Sequence, residues 1–168
     1  MEQFDLAVIG GGPAGAAAAI QGARQGARVI VFEKGVHGRD KVCGDGLTPR
    51  AVGALHELKV DLDDAHHIRG LRMIAGKKVR ELDWPTTDRF PNHGAVWPRR
   101  RLDATLIDAA AGAGAEVVFG AEATPVMEGG RVVGVTAEVS GSTRVVRAGL
   151  TMVAAGAPGA VARMLGAD

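Results

Sequence analysis

The chain has 168 residues, of which 46% are hydrophobic, and its 20 basic and 19 acidic residues give a net charge of +1. This length and composition fit one domain, or one domain with a small appendage, and exclude a disordered chain. The near-neutral charge gives no electrostatic basis for binding nucleic acid, and a single cysteine, which cannot form an internal disulfide, fits a cytoplasmic location.

The first 34 residues predict a strand, a glycine turn, a helix and a second strand. "DLAVIG" is a short apolar run typical of a buried parallel strand, and the alanine-rich "AAAAIQGARQG" predicts a helix that closes at Gly26. "ARVIVFEK" predicts a second buried strand that ends at Glu33. The uncharged stretch 6–23 contains five glycines and Pro13, so we do not interpret it as a membrane span.

A glycine fingerprint lies between the first strand and the helix. Gly10 permits the tight turn, Gly12 lets the backbone approach a pyrophosphate, and Gly15 lets the helix pack closely on the strand. Glu33 then accepts hydrogen bonds from the adenosine ribose and repels a 2′-phosphate, which disfavours NADP. These spacings predict a dinucleotide site rather than a purely structural turn. The predicted cofactor site also includes Pro13, Ala14 and Lys34.

The remaining pattern predicts an α/β fold, a Rossmann-type parallel sheet with an antiparallel meander and an inserted hairpin. A helix is predicted over 48–58, with Thr48 as N-cap and Pro49 at its first position. A hairpin over 69–84 should turn near 75–77, and a second helix is predicted over 101–115. Strands are predicted at 94–99 and 116–120, at 131–139 and 143–149 in the meander, and at 150–156 as a final buried strand.

The stretch "KVCGDGLTPR" contains the only cysteine of the chain, Cys43. Two interpretations are open: Cys43 is a buried small hydrophobe, or it is a thiol aimed at something reactive. The five histidines have no metal-ligand spacing, so we interpret them as surface or loop residues and predict no metal site. Trp84 and Trp97 are interpreted as packing residues.

Several segments together resemble the geranylgeranyl reductase family of FAD-dependent oxidoreductases. They are "VIGGGPAGAAAA", "GRDKVCGDGLTPRAVGALHEL", "HIRGLRM" with "LDWP", "RRRLDATLIDAAAGAGAEVV" and "VAAGAPGAVARMLG". The resemblance covers the whole chain, and it is strongest to the actinobacterial, menaquinone side-chain reductase-like branch. The Cys-Gly-Asp-Gly-Leu-Thr-Pro-Arg stretch is far more specific than the glycine fingerprint.

The resemblance implies FAD as cofactor and reduction of isoprenoid double bonds in a polyprenyl lipid or quinone. It implies that Cys43, Gly44, Asp45 and Gly46 lie close to the isoalloxazine, with Cys43 as the candidate catalytic residue. Electrons would come from NAD(P)H or from a reductase or ferredoxin. The resemblance also implies that Arg99 contacts FAD, that the backbone of Ala123 lies near the adenine, and that residues 69–98 are an excursion belonging to a substrate domain.

Two departures from the family pattern qualify these expectations. Ala155 stands where the family has an aspartate, and the family continues well beyond Asp168. We therefore expect residues 1–168 to form an incomplete FAD-binding domain, inactive in isolation, that needs a C-terminal half or a second chain. A flavin-dependent monooxygenase or hydroxylase and a non-catalytic, degenerate nucleotide-binding module are the alternatives. Peripheral association with the inner face of the membrane is compatible with a lipid substrate.

Overall fold

The computed structural model describes residues 1–156 and 159–166. They form two compact units: residues 1–39 with the described residues from 103 onward, and residues 40–102. The elements in chain order are β1 (Glu2–Ile9), α1 (Pro13–Arg24), β2 (Val29–Glu33), β3 (Gly46–Leu47), α2 (Pro49–Glu57), β4 (His66–Ile68), β5 (Gly70–Ala75), β6 (Lys78–Asp83), β7 (Gly94–Val96), α3 (Arg99–Gly112), β8 (Glu116–Phe119), β9 (Ala121–Glu128), β10 (Arg131–Val139), β11 (Ser142–Val153) and α4 (Ala160–Met164).

The first unit contains the predicted parallel sheet. Its strands lie in the order β8-β2-β1-β11, and each neighbouring pair is parallel. All five residues of β2 are buried, because a parallel strand in the middle of an α/β sheet is covered on both faces. The register places Glu33, the last residue of β2, opposite Phe119, the last residue of β8. The predicted order of strand, glycine turn, helix and strand is confirmed.

Strand β11 corrects one prediction about the chain's last strands. The sequence divides this segment into a meander strand over 143–149 and a separate buried strand over 150–156. The structure has one twelve-residue strand, whose first half pairs antiparallel with β10 and whose second half pairs parallel with β1. The backbone of Gly149 is compatible with an extended strand, and Leu150 continues the pairing opposite Leu6.

The meander of β9, β10 and the start of β11 supplies one side of the core of the first unit. Ile30 and Phe32 of β2 belong to the same buried cluster as Val135 of β10 and Val146 of β11. Alternate residues of the parallel strands face helix α1 instead: a Cβ at Gly22 of that helix would lie 3.2 Å from Val29 Cγ2. The parallel sheet therefore has a helix on one face and the meander on the other.

The second unit contains short strands, a helix and a hairpin. Strands β3 and β4 pair antiparallel with β7, and β5 pairs with β6. The predicted cap of α2 is confirmed, since Thr48 Oγ1 accepts a hydrogen bond from the Ala51 N–H at 3.4 Å. The predicted hairpin turn is also confirmed, and it contains Gly76 with a φ of 60°. The 69–98 excursion lies inside this unit, and its assignment to a substrate domain stays a prediction.

No helix in the described parts of the chain is both long and apolar enough to cross a membrane.

Candidate dinucleotide site and cysteine loop

The glycine turn between β1 and α1 has the geometry that the fingerprint predicts. Gly10 has a φ of 107°, and a Cβ there would lie 2.5 Å from the carbonyl oxygen of Ala154. A Cβ at Gly15 would collide with the carbonyl oxygen of Gly10 and lie 3.0 Å from Val8 Cγ1. Gly10 is therefore required for the turn and Gly15 for the close approach of helix and strand.

The beginning of α1 is open and electrically positive. Gly12 is the N-cap, Pro13 occupies the first turn, and that turn contains no acidic residue. No side chain of the described residues caps this helix, and a Cβ at Gly12 would meet no described atom within 4 Å. The backbone N–H groups of a first turn and the helix dipole together attract anions. This arrangement fits a pyrophosphate, and its binding stays a prediction.

Glu33, at the end of β2, is 4% exposed and holds the turn together. Its Oε2 accepts a hydrogen bond from the Gly11 N–H at 2.7 Å, and its Oε1 accepts from the Gly35 N–H at 2.8 Å and from Arg39 Nε at 2.9 Å. Burial opposes ionisation, but the two backbone N–H groups and the Arg39 guanidinium outweigh it and hold the pKa of Glu33 below its ordinary value.

These contacts limit what Glu33 can offer to a ligand. An ionised carboxylate has about four acceptor positions, and three donors already occupy this one. Room therefore remains for about one ribose hydroxyl rather than the two that the sequence predicts. Arg39 was missed as a site residue, and its only sequence signal is a basic residue a few positions after the acid at the strand end.

A cleft next to Glu33 encloses about 230 Å³ of empty space, part of it open to solvent. The ionised carboxylate of Glu33 disfavours a phosphate beside it, and the placement of the nucleoside in this cleft stays a prediction. The lining residues are Gly11, Glu33, Val36, Gly38, Arg39, Asp103, Ile107 and Phe119.

The second unit contains the cysteine loop, and Cys43 is exposed. The interpretation of Cys43 as a buried hydrophobe is therefore wrong. Asp45 has a φ of 56°; its Oδ1 accepts a hydrogen bond from the Arg99 N–H at 3.0 Å, and its carbonyl accepts from the Trp97 N–H at 2.9 Å. The Asp45 N–H and the Arg99 guanidinium face the Cys43 sulfur and lower the pKa of its thiol.

The other predicted site residues occupy different surroundings. Arg99 contacts the cysteine, and its predicted contact with FAD stays a prediction. Ala123 lies in β9, is 5% exposed and belongs to the core of the first unit, while Lys34 is exposed. A Cβ at Gly44 would meet no described atom within 4 Å, and one at Gly46 would meet only the Gly44 carbonyl oxygen at 3.9 Å, so both glycines leave room beside the thiol. Ala155 is exposed at the end of the parallel sheet, where its Cα would lie 3.0 Å from a Cβ at Gly10.

The histidines of the second unit are less uniform than the sequence predicts. His67 and His93 stack with their ring centroids 4.6 Å apart, and Nε2 of His93 is buried. His93 lies in the loop before β7 and is half-buried, so the interpretation as a surface or loop residue fits it, although its Nε2 is shielded from solvent. Among residues 1–156 and 159–166, no group of three or more His, Cys, Asp or Glu side chains could hold a metal ion.

The contact between Arg99 and Cys43 predicts a reactive thiol. Alkylation of Cys43 by iodoacetamide should reach half its maximal rate at a pH below the ordinary range of cysteine, because the Asp45 N–H and the Arg99 guanidinium both favour the thiolate. Arg99→Gln should move this midpoint to higher pH, whereas Arg100→Gln, at an exposed neighbouring position, should not. Since the chain has one cysteine, mass spectrometry of the intact protein reports the rate directly. Identical profiles for wild type and Arg99→Gln would contradict the prediction.

Sequence comparison places the chain among flavin enzymes. The family described as FAD dependent oxidoreductase matches residues 5–168. The menaquinone reductase of Mycobacterium tuberculosis is 44% identical over 127 residues, which are 74% of this chain and 31% of that protein. The menaquinone reductase of Mycolicibacterium smegmatis is 39% identical over 168 residues, covering 96% of this chain and 40% of that protein. Digeranylgeranylglycerophospholipid reductase 1 of Methanopyrus kandleri is 34% identical, covering 98% of this chain and 42% of that protein.

Solved structures agree on the fold. A geranylgeranyl bacteriochlorophyll reductase-like protein from Thermoplasma acidophilum superposes with a TM-score of 0.79 at 28% identity, over 93% of this chain and 40% of that one. The myxobacterial chondrochloren halogenase, an FAD-dependent halogenase, superposes with a TM-score of 0.87 at 27% identity, over 97% of this chain and 39% of that one. The chain spans less than half the length of the relatives it matches. The family match over residues 5–168 and the geometry of the glycine turn together show that the chain belongs to the FAD-dependent oxidoreductases.

Proposed function

We propose that this chain forms the FAD-binding part of a reductase that saturates isoprenoid double bonds of a polyprenyl lipid or quinone. The observation that carries the proposal is the 39% identity to a menaquinone reductase, which extends over 168 residues and so includes both units. The archaeal relative named for a digeranylgeranyl phospholipid supports the same class of substrate, a long chain of isoprene units.

The first unit provides the residues that would hold the ADP half of FAD. The N–H groups at the start of α1 would bind the pyrophosphate, with Gly12 leaving room for its approach. Glu33 would accept a ribose hydroxyl on its remaining acceptor position, and the cleft lined by Val36, Arg39 and Phe119 would take the adenine. Bound FAD supplies the hydride chemistry that no amino-acid side chain provides.

We include in the proposal the predicted position of the cysteine loop beside the isoalloxazine. The loop offers an exposed sulfur, a cation from Arg99 that favours the thiolate, and two glycines that leave space around it. The neutral thiol would give its proton to one carbon of the substrate double bond, and the thiolate left on Cys43 would be stabilised by the Asp45 N–H and the Arg99 guanidinium. The electron donor, NAD(P)H or a reductase or ferredoxin, and peripheral association with the inner face of the membrane are further parts of this proposal.

A monooxygenase or halogenase reaction is the second candidate, because the chondrochloren halogenase has the higher TM-score. Both classes use the same nucleotide-binding unit, so the fold does not separate them. The reductase is favoured because sequence relatives at 34–44% identity are named reductases. NADPH-dependent oxygen consumption with an aromatic substrate would favour the second candidate. Ala155, at the family's aspartate position, keeps a non-catalytic module as a third candidate.

The assignment of FAD as cofactor predicts which nucleotides bind more tightly than others. Purified chain should bind FAD and ADP in competition with each other, and FMN should not displace ADP, because FMN lacks the adenosine half for which the cleft and Glu33 are suited. Isothermal titration calorimetry with the three ligands measures these affinities, and equal affinity for FMN and FAD would contradict the assignment.

The proposed reaction is tested by incubating the natural polypeptide that contains this sequence with reduced FAD and menaquinone. Mass spectrometry should detect a product with two added hydrogens.

A further inference from the structure

We propose that Arg39 determines the base specificity of the nucleotide cleft, by presenting its guanidinium plane to the adenine. This inference depends on the proposed function, since it assigns the nucleoside of the cofactor to the cleft beside Glu33. The sequence fingerprint does not include Arg39, which follows the end of β2 by six residues. The structure gives it two features that a solvated surface arginine lacks.

The first feature is that Arg39 is fixed. Its Nε donates to Glu33 Oε1 at 2.9 Å, and its side chain is 27% exposed against 6% for Glu33. The carboxylate is itself held by the N–H groups of Gly11 and Gly35. An arginine bound through Nε to a buried and immobile acceptor loses much of its rotational freedom, so its planar head is oriented before a ligand arrives.

The second feature is the space left for Arg39 by Gly35. A Cβ at Gly35 would collide with Arg39 Cδ and lie 2.9 Å from Arg39 Nε and 3.0 Å from Glu33 Oε1. The φ of Gly35 is not in the left-handed region, so its backbone conformation does not require glycine. The missing side chain is required for a different reason, since it lets the arginine stem lie across the backbone and reach Glu33.

The composition of the cleft selects the ligand class. Arg39 lines it together with three apolar side chains, Val36, Ile107 and Phe119, and with the carboxylates of Glu33 and Asp103. A cationic plane beside apolar walls suits a flat, electron-rich ring, because guanidinium groups stack on aromatic faces. The ionised carboxylate of Glu33 lies at the edge of the cleft, so a phosphate is disfavoured beside it. A purine base without a 2′-phosphate on its ribose satisfies both conditions.

The test compares ADP with UDP, which share the ribose and diphosphate and differ only in the base. We expect the wild-type chain to bind ADP more tightly than UDP, and Arg39→Lys, which keeps the charge but loses the plane, to weaken ADP binding by about 5- to 30-fold. UDP binding should change much less. Gly35→Ala, which displaces the arginine without removing it, should lower the ADP-to-UDP affinity ratio in the same direction. Arg131→Lys, at an exposed position on β10, is the matched control.

Each outcome decides one point. If wild type binds neither ADP nor FAD, the proposed function fails. If wild type prefers ADP and the preference is unchanged in Arg39→Lys and Gly35→Ala, the proposed function stands and this inference is overturned. Equal losses of ADP and UDP affinity would make Arg39 a structural tether of Glu33 and would also overturn it. Urea unfolding of each variant identifies any that fails to fold, in which case the other variant decides.

Discussion

Gly15→Ala should destabilise the chain by about 3 kcal/mol or more, a large part of the roughly 5–15 kcal/mol that stabilises a domain. The added Cβ would occupy the position of the Gly10 carbonyl oxygen and press on Val8 Cγ1, so α1 must move away from β1. Neither neighbour can yield cheaply, because one is backbone and the other lies in a fully buried side chain. Urea unfolding followed by circular dichroism measures the loss.

Gly12→Ala is the matched comparison in the same loop. No described atom lies within 4 Å of a Cβ at this position, and the backbone φ of −72° is one that alanine adopts readily. The stability should therefore change by less than about 1 kcal/mol, the cost of a weaker N-cap. Binding of ADP should nevertheless be lost, because the methyl group occupies the space left for the pyrophosphate. Normal ADP affinity in Gly12→Ala would show that the phosphates bind elsewhere.

Glu33→Gln should lower both stability and nucleotide affinity. The carboxylate accepts from two backbone N–H groups and from Arg39, and an amide would place an NH₂ group against at least one of these donors. Hydrogen bonds to a charged group contribute about 1.5–3 kcal/mol each, and a buried donor without a partner is costly, so we expect a loss of about 2–4 kcal/mol. ADP binding should weaken at least tenfold, because the turn around Gly11 loosens as well.

The pH dependence of the unfolding free energy tests whether the charge of Glu33 causes the stability loss in Glu33→Gln. Its pKa is lower in the folded chain than the ordinary value of 4.5. Its contribution to stability is therefore fully present above about pH 4.5 and is lost as the pH falls through the lower folded-state pKa. The difference in unfolding free energy between wild type and Glu33→Gln should be constant at neutral pH and shrink below pH 4.5. Glu122→Gln, at an exposed position on β9, should show no such difference.

Features set by local sequence were predictable. The glycine fingerprint requires specific backbone geometry at Gly10 and Gly15, and the apolar run before Glu33 can only be a buried strand in this context. The N-cap at Thr48 and the hairpin turn at Gly76 also follow from residues adjacent in sequence. In each case the physical cause acts within a few residues, so a sequence pattern is sufficient to identify it.

Features that depend on contacts between distant residues were not predictable. The hydrogen bond from the Arg99 N–H to Asp45 joins residues 54 positions apart, and the Arg99 guanidinium also contacts Cys43. Arg39 reaches Glu33 only because Gly35 leaves space, which no hydrophobic or propensity pattern records. The sequence therefore predicted Glu33 and Cys43 as site residues, but it did not predict the contacts with Arg39 and Arg99 that orient them.

Strand β11 also determines when this protein can fold during its synthesis. Glu2 pairs with Val146 and Ile9 with Val153, so one edge of β1 has no strand partner until residues 146–153 have been translated. At about 5–20 residues per second, that edge waits roughly 7–30 s after leaving the ribosome. An apolar strand edge exposed for this long invites pairing with other nascent chains. Slower initiation or lower temperature should therefore raise the soluble yield, and chains truncated before residue 146 should aggregate.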